Sequence, residues 1–229
     1  MKKFKEFKQV LYVFILLIHV SCVQKDLNRD ELVFSADFES NQDSEQVDGW
    51  VVRDFNSTSV LGNFNNDGAT FHIQEIGSHD YLYVSLDLYI HDSWDGNLNG
   101  LEPDKGDLWK VAIRPGLEFP TNEKLVYLTS FSNTICNFDY CFKQSYPDEF
   151  PSIQNPKRGS SGSFPGLCSL ADRNDGTTLY RISFGFPHEG NALIIRFFDE
   201  LFQPNALESP KCDESWSMDN LKIRAISYE

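Results

Sequence analysis

The stretch HDSWDGNLNG, residues 91–100, gathers two aspartates, two asparagines, two glycines and a tryptophan directly after the apolar run YLYVSLDLYI. Asp95, Asn97 and Asn99 set side-chain oxygens at alternate positions, and Gly100 follows. That is the front half of the calcium-loop pattern D-x-[DN]-x-[DN]-G. Alternation lets one turning backbone aim several oxygens inward, which suits a hard cation such as calcium. The back half departs from an EF-hand, because Gly106 stands at position 12 and Asp107 comes one place later. No helical pattern flanks the loop. The expectation is a calcium loop on a β scaffold, with Asp95, Asn97, Asn99 and Asp107 as ligands and Glu102 and Asp104 close by. The alternative is a solvated turn, since the same residue types build any tight turn. Trp94 lies between Asp92 and Asp95. A sugar presents an apolar C–H face that stacks on such a ring, and its hydroxyls need polar partners. Asp92, Trp94 and Tyr89 are therefore expected to bind ligand. Trp109, inside an apolar run, is assigned to the core.

The elements that must position these residues read as β-strands. ELVFSADFE, WVVRDF, ATFHIQEI, YLYVSLDLYI, LWKVAI, LVYLTSF, LYRISFGF, ALIIRFF and NLKIRAISY are rich in Val, Ile, Tyr and Phe, and several alternate with period two. In YLYVSLDLYI, Leu82, Val84, Leu86, Leu88 and Ile90 share one face. Tyr81, Tyr83, Ser85, Asp87 and Tyr89 share the other, so one sheet is expected to present aromatics. Gly, Asn, Asp and Pro clusters separate the runs. No long amphipathic helix and no internal repeat appears. The expected fold is all-β, an antiparallel β-sandwich of jelly-roll type, forming one domain over residues 31–229. Residues 143–177 are dense in Pro, Gly and Ser and read as one long loop.

The N-terminus reads as an export signal rather than as part of the fold. Lys2, Lys3, Lys5 and Lys8 precede the apolar run Val10–Val20. That run of about 11 residues is too short to span a bilayer. Ser21-Cys22 follows, and the segment resembles a bacterial lipoprotein lipobox, with His19 where Leu is usual. The resemblance implies a signal peptide over 1–21, lipid on Cys22 and a tether over 22–30. It also implies an extracytoplasmic place in the cell envelope, on the outer membrane, with membrane contact through the lipid anchor only. The chain carries a formal charge of −14. Nucleic-acid binding requires clustered Lys and Arg, so it is excluded as a function class. Acidic surfaces favour divalent cations. Of five cysteines, Cys22 is assigned to lipid. Cys136, Cys141, Cys168 and Cys212 remain, an even set that reads as two disulfides in an exported chain. The local pair makes Cys136–Cys141 with Cys168–Cys212 the preferred pairing of three. A zinc site is the rival, without a Cys-x-x-Cys pair or a neighbouring His to support it.

The two ends of the domain carry a further signal. FSADFESNQDSEQVDGW opens it, with Asp37-Phe38-Glu39 and then Gly49-Trp50; DESWSMDNLKI closes it, with Asp219-Asn220 in the last strand. This arrangement resembles the galactose-binding-like jelly rolls that include many carbohydrate-binding modules. The resemblance covers the ends and not the middle. It implies that the first and last strands are neighbours and that a structural calcium lies between them, with Glu39 and Asp219 as ligands. On the residues alone, Phe34, Phe38, Trp50 and Trp216 read equally as core.

No H-E-x-x-H, G-x-S-x-G or Walker-type pattern occurs. His72, His79 and His188 stand alone among strands and turns, and the many carboxylates single out no glycosidase pair. Three readings of function remain. The first is a non-catalytic lipoprotein that binds glycan through a calcium-stabilised sandwich. The second is a structural or protein-binding lipoprotein, in which Phe150, Phe164 and Leu167 form an apolar patch for a protein partner. The third is a glycoside-active enzyme with two facing carboxylates in a cleft.

Overall fold

The computed structural model describes residues 26–40, 44–97, 106–116, 123–134, 136, 141–204, 206 and 209–229. The expectations for the signal peptide, Cys22 and Asn99 lie outside these residues. Twelve strands form among them: β1 (Leu27–Ala36), β2 (Val47–Asp48), β3 (Val52–Phe55), β4 (Thr58–Phe64), β5 (Gly68–Gln74), β6 (Tyr81–Asp92), β7 (Leu108–Pro115), β8 (Lys124–Ser130), β9 (Gly162–Phe164), β10 (Thr177–Pro187), β11 (Ala192–Glu200) and β12 (Glu214–Tyr228). A short helix α1 (Pro210–Asp213) leads into β12. All pairings are antiparallel, and they make two sheets. The larger runs β3-β4-β12-β6-β10-β9, with β1 also on β12; the smaller runs β2-β5-β11-β7-β8. The protein is thus an all-β, two-sheet sandwich. The first and last strands are neighbours, from Leu27 opposite Tyr228 to Ala36 opposite Leu221. No helix among the described residues is long and apolar enough to cross a membrane.

The sandwich forms because each sheet has one apolar face to bury. In β6, Leu82, Val84, Leu86, Leu88 and Ile90 are all buried, as the alternation requires. They meet Phe71, Ile73, Val111, Leu193, Ile195 and Phe197 from the smaller sheet in one core. Trp109 sits at its centre, edge-on to Trp216 with ring centroids 5.9 Å apart. Pairs of this geometry add about 0.5–1.5 kcal/mol beyond area burial.

Three elements differ from the sequence expectation. Strand β1 begins at Leu27 rather than Glu31, so the last four residues of the expected tether belong to the sheet. Strand β4 was hidden by Ser, Gly and Asn inside TSVLGNF. Gly62 lies against β12 and has φ +132°, and a Cβ there would stand 2.8 Å from the Trp216 carbonyl oxygen. The turn-forming residue is thus what lets the strand approach. The 143–177 segment is not a free loop. It contributes β9, and Phe164 of β9 packs with Phe55, Tyr89 and Leu179 in a second, smaller cluster on the outer face of the larger sheet. Phe164 is half-buried in that cluster, Phe150 is half-buried beside β8, and Ile153 is the segment's exposed large apolar residue.

The preferred disulfide pairing forms: Cys136–Cys141 and Cys168–Cys212. They span 5 and 44 residues, and loop-closure entropy weights the longer bridge, with about 4 kcal/mol for 168–212 against about 2 kcal/mol for 136–141. The paired Cys168→Ser, Cys212→Ser variant is expected to lose about twice the unfolding free energy of the paired Cys136→Ser, Cys141→Ser variant in denaturant titration. Equal losses would contradict this ordering.

Candidate functional site

The loop after β6 is a clasp built from its own polar residues. Gly96 turns the chain at φ +63°. The Asp107 carboxylate then accepts hydrogen bonds from the backbone N–H groups of Asp95 (2.7 Å), Gly96 (3.1 Å) and Phe202 (3.1 Å). Asp107 N–H in turn donates to Gly96 O at 2.9 Å. Asn97 points elsewhere. Its Oδ1 accepts from the Ser130 hydroxyl and its Nδ2 donates to Ser152 O at 2.7 Å. The structure therefore brings Asp95 and Asp107 together, while Asn97 is spent on locking the 143–154 segment. Among the described members of the expected set, Asn97 does not join Asp95 and Asp107, because it is buried with its oxygen already occupied.

The expected ligand platform is corrected as well. Trp94 is fully buried and its Nε1–H donates to Ser215 O at 2.9 Å. A ring with no open face cannot stack on a sugar. Asp92 is fully buried, and its Oδ1 accepts from the N–H groups of Cys168 (3.1 Å) and Leu170 (3.0 Å). It fastens the Cys168 excursion to the end of β6. Tyr89 is buried edge-on to Phe55 at 5.3 Å. Burial, reinforced by Asp219 and Asp87, pushes its hydroxyl up to about 12. All three belong to structure that holds loops on the sandwich.

The implied ligands at the termini do come together. Thr58 Oγ1 lies 2.7 Å from Glu39 Oε1 and 3.3 Å from Asp219 Oδ2. One hydroxyl proton therefore serves two carboxylates. Glu39 Oε1 also accepts the Ser59 N–H at 2.9 Å, and these hydrogen bonds hold the exposed Glu39 below its usual value. Asp219 sits at a bulge in β12, between its pairings to Asp87 and to Ser85. Burial raises it to about 6, and repulsion from Asp87 and Glu39 adds to this. Oxygen-only donors facing each other suit calcium. Among the described residues no three His, Cys, Asp or Glu side chains form a ready-made metal cage, so carbonyl oxygens or water would have to complete a shell here.

The rest of the outer face of the larger sheet is open. Cross-strand rows set Arg224 beside Tyr83 and Gly185, Lys222 beside Ser85 and Ser183, and Asp219 beside Asp87 and Arg181. Tyr83 is 37% exposed. The Tyr81 ring lies over Gly185, filling the space a Cβ would take. The sequence marked this face through the alternation of β6. It did not reveal which tyrosines stay open, because the covering residues come from β3 and β9.

Neither a protein-family model nor a curated protein matches the sequence. Among solved structures the chain is similar to the K2 cleaved adhesin domain of Lys-gingipain. Identity is 10%, the TM-score is 0.36, and the match covers 85% of this chain and 97% of that one. At this distance the likeness assigns neither a family nor an activity.

The Asp219 environment has a pH consequence. A carboxyl raised from 3.8 to about 6 in the folded protein contributes stability below about pH 4, and that contribution is lost as the pH rises through 6. In metal-free protein, Asp219→Asn is expected to remove a pH dependence of about 1–2 kcal/mol between pH 4 and 7, after allowance for partial solvent screening. Denaturation midpoints in EDTA at the two pH values check this.

Proposed function

We propose that this chain is an exported, non-catalytic binding protein of the cell surface, held by lipid on Cys22, whose β-sandwich binds carbohydrate on the open outer face of the larger sheet. The observation that supports this is the grouping of Tyr81 and the exposed Tyr83 with Asp87, Arg181, Asn220 and Lys222 on rigid strands. Side-chain hydrogen-bonding groups placed beside aromatic surface are what a sugar needs, with the rings receiving C–H faces and the polar groups fixing orientation. Two disulfides fit an oxidising, extracytoplasmic location. A structural calcium between Glu39 and Asp219 would brace the bulge that carries Asn220 into this face.

The glycan face moves from Trp94 to Tyr83, and the variants follow from that. Binding of the purified protein to a glycan array is expected in calcium. Tyr83→Ala and Arg181→Ala are each expected to weaken it about tenfold or more, equivalent to about 1.4 kcal/mol, with unchanged melting temperature because both side chains are solvent-facing. Trp94→Ala is expected to destabilise the fold instead. A folded protein that binds no glycan with or without calcium, or a Tyr83→Ala variant that binds as the parent does, would reject the reading.

A further inference from the structure

One end of the sandwich concentrates negative charge inside the fold. Asp95 follows β6, Asp107 precedes β7, Asp199 lies near the end of β11, Asp213 ends α1 and Glu214 starts β12. Four of the five have donors. Asp107 accepts three backbone N–H groups, as described above. Asp199 accepts from Asn66 N–H (2.6 Å), Asp67 N–H (3.1 Å) and Trp216 Nε1–H (2.8 Å). Asp213 accepts from the Ser93 hydroxyl at 2.9 Å, and Asp95 from the Thr134 hydroxyl at 3.3 Å. Glu214 differs. It is 3% exposed, and its Oε2 has no hydrogen-bond partner. The ion pairs found among the described residues all lie elsewhere.

A buried carboxylate oxygen without a donor, on a side chain outside every ion pair found among the described residues, is costly. Burial pushes Glu214 far up, and Asp107, Asp95, Asp213 and Asp199 push in the same direction, in that order. Asp107 is itself raised, by burial first. A proton on Glu214 would cancel one charge and leave its neighbours facing one another. A divalent cation cancels two and accepts lone pairs from several oxygens at once. These side chains offer oxygen only, with no sulfur or imidazole, which selects a hard cation such as calcium over zinc. No three of them already form a cage. Two carboxylates would therefore be joined by carbonyl oxygens and water, within the six to eight ligands that calcium takes.

We propose that Glu214 is the central ligand of a calcium site at this end of the sandwich, with Asp107 as the second carboxylate and Asp95 adding negative charge beside them. This site is separate from Glu39 and Asp219 and does not depend on glycan binding. It redefines the loop motif: the oxygen brought to Asp95 and Asp107 comes from the DESW stretch of β12 rather than from Asn97.

The test uses EDTA-treated purified protein titrated with calcium chloride, read by melting temperature. E39Q, which leaves only the Glu214 site, is expected to gain about 5–10 °C at 100-fold excess over Kd, and the parent at least as much. E214Q, which keeps the side-chain shape, is expected to lose the rise that E39Q keeps and to melt without calcium at or above the calcium-free parent. If E214Q does not fold, terbium bound to E39Q is the second readout. Trp94 adjoins Asp95 and Trp216 lies two residues after Glu214, so tryptophan-sensitised emission is the signal, and calcium should quench it by displacement. A rise kept in E214Q and lost in E39Q would overturn this site and leave the Glu39–Asp219 site standing. No rise in either protein, or no calcium-sensitive terbium emission, would also overturn it and would identify Glu214 as a buried, protonated acid.

Discussion

Strand β12 is the constraint on which the rest of the sandwich depends. It pairs with β6 along nearly its whole length on one side, and with β4 and then β1 on the other. Three strands therefore take their register from one. The bulge around Asp219 and Asn220 separates the two halves of that register. Its first half buries Trp216 against Trp109, and its second half exposes Lys222 and Arg224 beside Tyr83. Core, terminal carboxylate pair and open face are consecutive segments of a single strand. A shift of one residue would exchange them, because successive side chains alternate between faces.

The loops obey a second rule. Backbone that leaves the sheets at the Glu214 end is half-buried, so its polar groups must find partners. Asn133 Nδ2 donates to the carbonyls of Ile90 and Asp92 at 2.9 Å each. Gln144 Oε1 accepts from Lys157 N–H at 2.8 Å and Tyr180 hydroxyl at 3.1 Å, while its Nε2 donates to Tyr146 O at 2.8 Å. His91, fully buried between the hydroxyls of Thr177 and Ser217, is pushed down to about 3 chiefly by burial, and so stays neutral. Such networks are rigid only when every member is satisfied. Glu214 Oε2 breaks that pattern, as do Asp92 Oδ2, Trp109 Nε1 and His188 Nε2, and Glu214 is the one with four other acids pressing on it.

Much of this fold was legible in the sequence, and the unread parts have physical reasons. Period-two alternation located β6 and named its buried face correctly. The even cysteine count implied two bridges, and the closeness of Cys136 to Cys141 favoured the pairing that forms. The resemblance to galactose-binding-like jelly rolls, carried by the ends DFE and DESWSMDN, implied adjacent first and last strands, which the structure has. Alternation says which face a residue is on, but not whether a distant segment covers it. Tyr89 and Tyr83 share one face of one strand, yet Phe55 and Phe164 cover the first and leave the second open. Trp94 looked like a loop aromatic because polar residues flank it. Those residues are polar because they fasten the loop over the tryptophan. Gly62 read as punctuation where it permits close packing of strands.

The pairing of β1 with β12 also sets when this protein can fold. Leu27 finds its partner at Tyr228, almost the full chain away, and β4 and β6 each have one edge that awaits β12. Contacts this distant in sequence carry a large loop-closure cost before they give any return, which makes folding slow. The nascent chain therefore holds an unpaired β1 and an open core until its last strand is made. In such a chain the larger sheet is completed only once β12 has emerged.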